Sequence, residues 1–335
     1  MSDFTLDSHG RPARTGEGRA WGKVILLGEH AVVYGVPALA VGIDRGALAR
    51  ASAPESHGGD EPCRLHVEGW EVFVGEDDRE HDLGRAFRAV LDAHRARGGV
   101  AQGLLVQARS DLPPGGGLGC SAALGVAIAR AIATAATDDV VGELAMAWER
   151  IFHGRPSGVD AAVASRGGCI LFEKGSGIDP VKPKGGLLLC VGNTGVASST
   201  RTMVEAVARF RLRRPEVVGK QFEGIASLVR NARLAVEAGD RVGLGRLMDL
   251  NQMILSGLFV SSEEIERMCG LARSAGALGA KLTGAGGGGS VVALVASASV
   301  AERVLLAWKE EGFWGFSTRV AGSEVLHAVG AEVST

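Results

Sequence analysis

Apolar residues along the chain fall into short dense runs and longer runs spaced every three or four positions, so strands and amphipathic helices are both expected. Residues 21–43 are dense in Val, Ile, Leu and Ala and break at Gly28-Glu29-His30 and again at Gly35. That predicts a strand, a polar turn and further strand. Alternation over 65–74 predicts a strand or hairpin, and Leu83, Ala86, Phe87, Val90 and Leu91 give 83–97 a helical spacing. Residues 103–108 read as a strand that leads into a glycine-rich loop at 113–121. Positions 122–136 are apolar almost all round, the mark of a buried helix. A helix over 140–152, a turn at 153–160 and a short strand at 169–172 follow.

The stretch 173–186 collects Gly, Ser, Pro and Lys and is the expected boundary between two domains, 1–185 and 186–335. Beyond it come a strand at 187–191 and helices at 202–213, 218–238, 241–257 and 263–276. A second glycine loop, 284–289, enters an apolar strand at 291–295, and a helix (300–311) and a strand (316–320) close the pattern. Residues 1–19 are polar and are expected to form a frayed tail or irregular lead-in, and 53–61 a loop.

Composition narrows the function classes. Glycine accounts for 50 of 335 residues, roughly twice the usual ~7%, yet it has no three-residue period and proline is only 10. Collagen and Pro/Gly-rich disorder are thereby excluded, and glycine must serve turns, packing or ligand loops. A formal net charge of −2 gives no electrostatic case for nucleic acid or an anionic membrane. No apolar run reaches the roughly 18 residues of a membrane-crossing helix. Five widely spaced cysteines without a CxxC pair fit a reducing cytoplasm better than a disulfide or zinc framework.

Three segments carry candidate chemistry. Gly115, Gly116, Gly117 and Gly119 lie between a strand and a helix that starts near Ser121, where converging N–H groups and the helix dipole suit an oxyanion. A tight strand–helix turn is the plainer reading, and the density of glycine favours phosphate. Walker A is not met, because Gly119 is followed by Cys120 and Ser121 with no lysine. Gly284, Gly286 and Gly289 match the dinucleotide spacing but precede an apolar strand rather than the required helix. Lys23, Glu29 and His30 mark an apolar strand and its turn, and Glu149 precedes Asp160 by eleven positions. Two carboxylates near a phosphate loop suggest one metal ligand and one general base; solvated surface acids are the alternative.

Taken together, Trp-Gly-Lys-Val-Ile-Leu-Leu-Gly-Glu-His-Ala-Val-Val-Tyr-Gly (21–35), Pro-Pro-Gly-Gly-Gly-Leu-Gly-Cys-Ser-Ala-Ala (113–123) and Lys-Leu-Thr-Gly-Ala-Gly-Gly-Gly-Gly (281–289) resemble the three motifs of the GHMP kinases. Residues 28–35, 149–160 and 193–201 resemble the mevalonate kinases within that group. The resemblance implies an α+β, two-domain fold. Its N-terminal α/β domain would hold a left-handed β-α-β unit, its C-terminal domain would be ferredoxin-like, and the active site would lie in the cleft between them. It implies ATP-dependent phosphorylation of the mevalonate C5 hydroxyl, with Mg²⁺, in isoprenoid synthesis.

The resemblance also implies roles. Asp160 would be the general base and Lys23 its cationic neighbour at the γ-phosphate. Pro114, Gly115, Gly116, Gly117, Leu118, Gly119, Cys120 and Ser121 would wrap ATP, and Ser121 with Glu149 would hold the metal. Lys23, Glu29, His30, Asp160, Thr200, Gly284 and Ala285 would line the substrate pocket. The partners implied are mevalonate and ATP, with neither nucleic acid nor membrane, in a cytoplasmic enzyme and a possible homodimer. Two departures stand out: Trp21 replaces the usual proline before Gly-Lys, and Cys120 replaces a hydroxyl residue. A thiol at a helix N-terminus is either activated or simply small and buried. Arg155 and Arg201 keep phosphomevalonate open as a substrate. A non-catalytic sensor of the same fold is disfavoured because Lys23, Ser121, Glu149 and Asp160 are all present.

Overall fold

The computed structural model describes residues 16–52, 61–70, 72–154 and 156–320. They divide into two compact units, one holding 16–22, 45–112 and 119–166 and the other 23–44, 113–118 and 167–320. Two strands, β1 (Gly16–Leu27) and β2 (Ala38–Ser52), are shared along their length between the units.

In the first unit, β2 pairs antiparallel with β5 (Leu105–Ser110), and β5 pairs parallel with β3 (Arg64–Val67). The strand β3 forms an antiparallel hairpin with β4 (Val72–Gly75). Between β4 and β5 the chain runs through α1 (Asp82–Arg95), whose start is capped by the His81 ring accepting from the Leu83 N–H at 3.1 Å. The central helix is α2 (Cys120–Ile132), with ten of its thirteen residues buried, as its all-round apolar sequence demands. Packed on it are α3 (Asp138–His153), capped by Thr137, and the short α4 (Val159–Arg166).

Two expectations need correction in this unit. Residues 16–19, expected as irregular lead-in, open β1. Gly18 lies so close to α2 that a Cβ there would sit 1.9 Å from the Ala127 carbonyl, so glycine at this position is what lets the strand reach the helix. The turn expected at 153–160 gives way at Val159 to α4, which puts Asp160 in the first turn of a helix.

The second unit contains a four-stranded antiparallel sheet in the order β11–β8–β10–β9, formed by β8 (Leu187–Asn193), β9 (Gly279–Thr283), β10 (Ser290–Val295) and β11 (Trp314–Val320). The helices α8 (Glu263–Ser274) and α9 (Ala298–Glu310) cover it, and the Trp308 indole N–H donates to the Met268 carbonyl at 2.9 Å in the core. Further helices are α5 (Thr200–Arg213), α6 (Pro215–Ala238) and α7 (Arg241–Gly257). The N-terminal part of β2 pairs with β6 (Cys169–Glu173), which forms a hairpin with β7 (Gly177–Val181) inside the stretch 173–186. The mixed α+β class is as expected.

All five cysteines are buried thiols, and burial pushes Cys169, Cys190 and Cys269 up to about 12. Among the described residues no helix is long and apolar enough to cross a membrane.

Candidate active site

Parts of all three motifs, residues 23–35, 113–118 and 281–289, meet within the second unit. Apolar 24–27 buries the end of β1 completely, so Lys23 at its head is carried inside and is only 3% exposed. The Lys23 N–H donates to the Leu118 carbonyl at 2.9 Å, tying the first motif to residues 113–118 of the glycine loop. The Ile25 N–H donates to Thr283 Oγ1 at 2.9 Å, tying the same strand to β9 of the third motif. The two glycine loops touch backbone to backbone. A Cβ on Gly284 (φ +90°) would lie 3.0 Å from the Gly117 carbonyl, and one on Gly117 (φ +75°) would lie 3.2 Å from the Thr283 carbonyl. Ser290 completes the join by donating to the Gly116 carbonyl at 2.6 Å, and Asn193 donates to Ser290 Oγ at 3.3 Å.

Glu29 and His30 follow β1 in the same unit, 1% and 5% exposed. His30 Nε2 lies 2.8 Å from the Ala285 carbonyl. Burial lowers the imidazole to about 4, so it is neutral at physiological pH. A carbonyl only accepts, so Nε2 carries the proton and Nδ1 keeps its lone pair. His30 has φ +61°, an uncommon conformation for any residue but glycine. Glu29 forms a fully buried ion pair with Lys281 through Oε1, while Oε2 is buried without a hydrogen-bond partner. Thr200, expected in the pocket, is exposed at the start of α5, where Ser199 provides the cap. Gly115 has φ +70° and Gly284 and Ala285 sit in the turn after β9.

The first unit holds Gly119, Cys120, Ser121, Glu149 and Asp160. Ser121, in the first turn of α2, donates to Glu149 Oε1 at 2.6 Å and accepts from the Trp148 indole N–H at 3.2 Å. A hydroxyl has one proton and two lone pairs, so one lone pair remains for another partner. Glu149 is 2% exposed, and its Oε2 lies 3.7 Å from His153 Nε2. Hydroxyl and carboxylate oxygens are hard donors and fit Mg²⁺. No cluster of three or more His, Cys, Asp or Glu among the described residues forms an all-protein cage. Such a small donor set suits an ion that keeps waters and takes phosphate oxygens. Asp160 is half-buried in the first turn of α4.

Cys120 is 7% exposed, bonded to Ser110 at 3.3 Å, and burial pushes its thiol up. The thiol is thus a small, buried side chain at the helix start. Arg201 is exposed on α5, and Arg155 lies outside the described residues. Sequence reasoning passed over Lys281, Ser290 and Trp148. Lys281 opens the third motif and is one of only seven lysines against 29 arginines, the two signals that could have singled it out.

Comparison with known proteins agrees with this geometry. The family description for the GHMP kinases N-terminal domain matches residues 83–168, and that for the GHMP kinases C-terminal region matches 232–313. The mevalonate kinase of Aeropyrum pernix is 35% identical over 324 residues, covering 92% of this chain and 97% of its own. That of Thermococcus gammatolerans is 35% identical over 291 residues, covering 81% and 86%. The crystal structure of L. major mevalonate kinase in complex with R-mevalonate superposes with a TM-score of 0.78 at 30% identity, covering 92% of this chain and 97% of that one. The chain belongs to the GHMP kinases, in their mevalonate kinase group.

Proposed function

We propose that the chain transfers the γ-phosphoryl group of ATP to the C5 hydroxyl of (R)-mevalonate, giving 5-phosphomevalonate and ADP. The relatives at 32–35% identity bear the mevalonate kinase name, and the observation that carries the reading onto this chain is the meeting of all three motifs on one buried framework. In this reading Asp160 accepts the proton of the C5 hydroxyl as the O5–P bond forms and the bond to the β-phosphate oxygen breaks. Lys23 neutralises charge that develops on the transferred group. The backbone N–H groups of 115–121 cradle the phosphates. Ser121 and Glu149 hold Mg²⁺, which supplies charge neutralisation on the nucleotide phosphates. Glu29, His30, Thr200, Gly284 and Ala285 belong to the acceptor pocket.

A panel of mevalonate, phosphomevalonate, homoserine and galactose with Mg-ATP tests the reading. Mevalonate should have the highest kcat/KM; a preference for any other acceptor overturns it.

A further inference from the structure

Lys281 is the third residue of the edge strand β9, and the surrounding structure fixes it there. On one side β9 pairs with β10, with Lys281 opposite Val292. On its other side, side chains of α7 take up the strand's backbone donors: Ala280 N–H donates to Asp249 at 3.0 Å and Leu282 N–H to Gln252 Oε1 at 2.9 Å. The edge is thus closed, and the lysine cannot swing away with the strand. Its ammonium is fully buried and donates to Glu29 Oε1 and, at 2.5 Å, to the Leu282 carbonyl.

A buried ion pair of this kind is weak evidence for stability, because desolvation offsets much of the attraction. Glu29 Oε2, moreover, remains a buried acceptor with no partner, a costly arrangement in a finished core. The geometry points to Lys281 as a positioning residue for the acceptor substrate: it pins one oxygen of Glu29 so that the other is reserved for a substrate hydroxyl. The inference rests on the proposed function, in which Glu29 faces the acceptor. An ionised carboxylate oxygen accepts a hydroxyl proton and repels a carboxylate or phosphate. The C5 hydroxyl is assigned to Asp160, so the donor left on mevalonate is the C3 hydroxyl.

The charged and titratable groups acting on the pair are Lys23 from β1, His30 from the turn after it and Cys269 from α8. Burial pushes Glu29 up from the usual carboxylate range and Lys281 opposes it, so removal of the ammonium favours the protonated acid.

The test compares wild type with Lys281→Met, Lys281→Arg and the double variant Lys281→Met/Glu29→Gln, using mevalonate and its 3-deoxy analogue. Lys281→Met should raise the mevalonate KM about tenfold or more, leave the ATP KM unchanged, and add a protonation step above the usual carboxylate range to the pH profile of kcat/KM. Lys281→Arg should recover most of the affinity. The wild-type preference for mevalonate over the 3-deoxy analogue should shrink in Lys281→Met.

A Lys281→Met enzyme with the wild-type KM and pH profile overturns the proposal. So does one in which the KM values for ATP and mevalonate rise together while the analogue preference is kept. Should Lys281→Met fail to fold, the double variant removes both charges; a wild-type mevalonate KM in that protein overturns it equally. If the acceptor panel instead identifies another alcohol, the function reading fails by itself, and the same variants are compared on that alcohol.

Discussion

Glu149 in the first unit and Glu29 in the second are both buried, yet the chain surrounds them differently. Glu149 meets the Ser121 hydroxyl at 2.6 Å and the edge of His153 at 3.7 Å. Glu29 is bonded to a lysine ammonium inside the core, beside a neutral histidine. Glu29 thus has a buried ammonium on one oxygen, and Glu149 has a hydroxyl on one oxygen and an imidazole near the other. In the proposed reading this difference goes with two tasks, metal binding at Glu149 and acceptor recognition at Glu29. Oxygen donors that meet a metal must bind and release it with each nucleotide, whereas a substrate-reading carboxylate has to stay charged and fixed throughout.

Glu149→Gln breaks the comparison most directly. It should shift the Mg²⁺ titration to higher concentration and lower kcat/KM about 10³-fold, since metal neutralisation of the phosphates is worth several kcal/mol. Glu29→Gln should raise the mevalonate KM and leave the Mg²⁺ midpoint where it was. Equal Mg²⁺ shifts in the two variants would erase the distinction.

The second effect is a pH dependence of stability at His30 in the second unit. His30 has its pKa lowered from 6.5 to about 4 by burial. Its contribution to stability is present above the unfolded value and is lost as pH falls from about 6.5 toward 4, because the unfolded chain takes the proton first. The full loss amounts to about 3 kcal/mol. Urea unfolding across that window should show the decline in wild type and a shallower one in His30→Asn. Parallel curves would show that His30 is not the group responsible.

The same contrast shows what the sequence could display. The glycine loops, Lys23, Glu29, His30, Ser121, Glu149 and Asp160 are visible because their chemistry sits in contiguous motifs. Lys281 opens the third motif, yet its pairing is not legible, because its partner Glu29 lies 252 positions away and β9 is a five-residue strand with a charge at its centre. Such a strand is made by β10 and by the side chains of α7, not by its own alternation. The eight-residue α4, following Pro156 and Gly158, is likewise too short for a helical period to declare itself. Glycine outside the motifs also becomes intelligible. Positive φ is found at 25 described glycines, many in turns far from the loops, and close approaches such as Gly18 against α2 account for others.

Trp148 supplies the smallest and sharpest test of the first unit. Its ring is fully buried, and a Cβ on Gly125 would lie 2.8 Å from it, so helix α2 is shaped to hold the indole in place. The indole N–H occupies one lone pair of Ser121 Oγ and the hydroxyl proton goes to Glu149, which together set the direction of the remaining lone pair. Trp148→Phe keeps most of the ring and deletes the donor. It should cost about 1 kcal/mol of stability, the net worth of one neutral hydrogen bond. With Ser121 free to rotate, Mg-ATP affinity measured by calorimetry should weaken by less than about tenfold, while the mevalonate KM stays fixed. If Trp148→Phe instead moves the mevalonate KM and spares Mg-ATP, the hydroxyl–carboxylate pair belongs to the acceptor rather than the metal. The two carboxylates would then share one task.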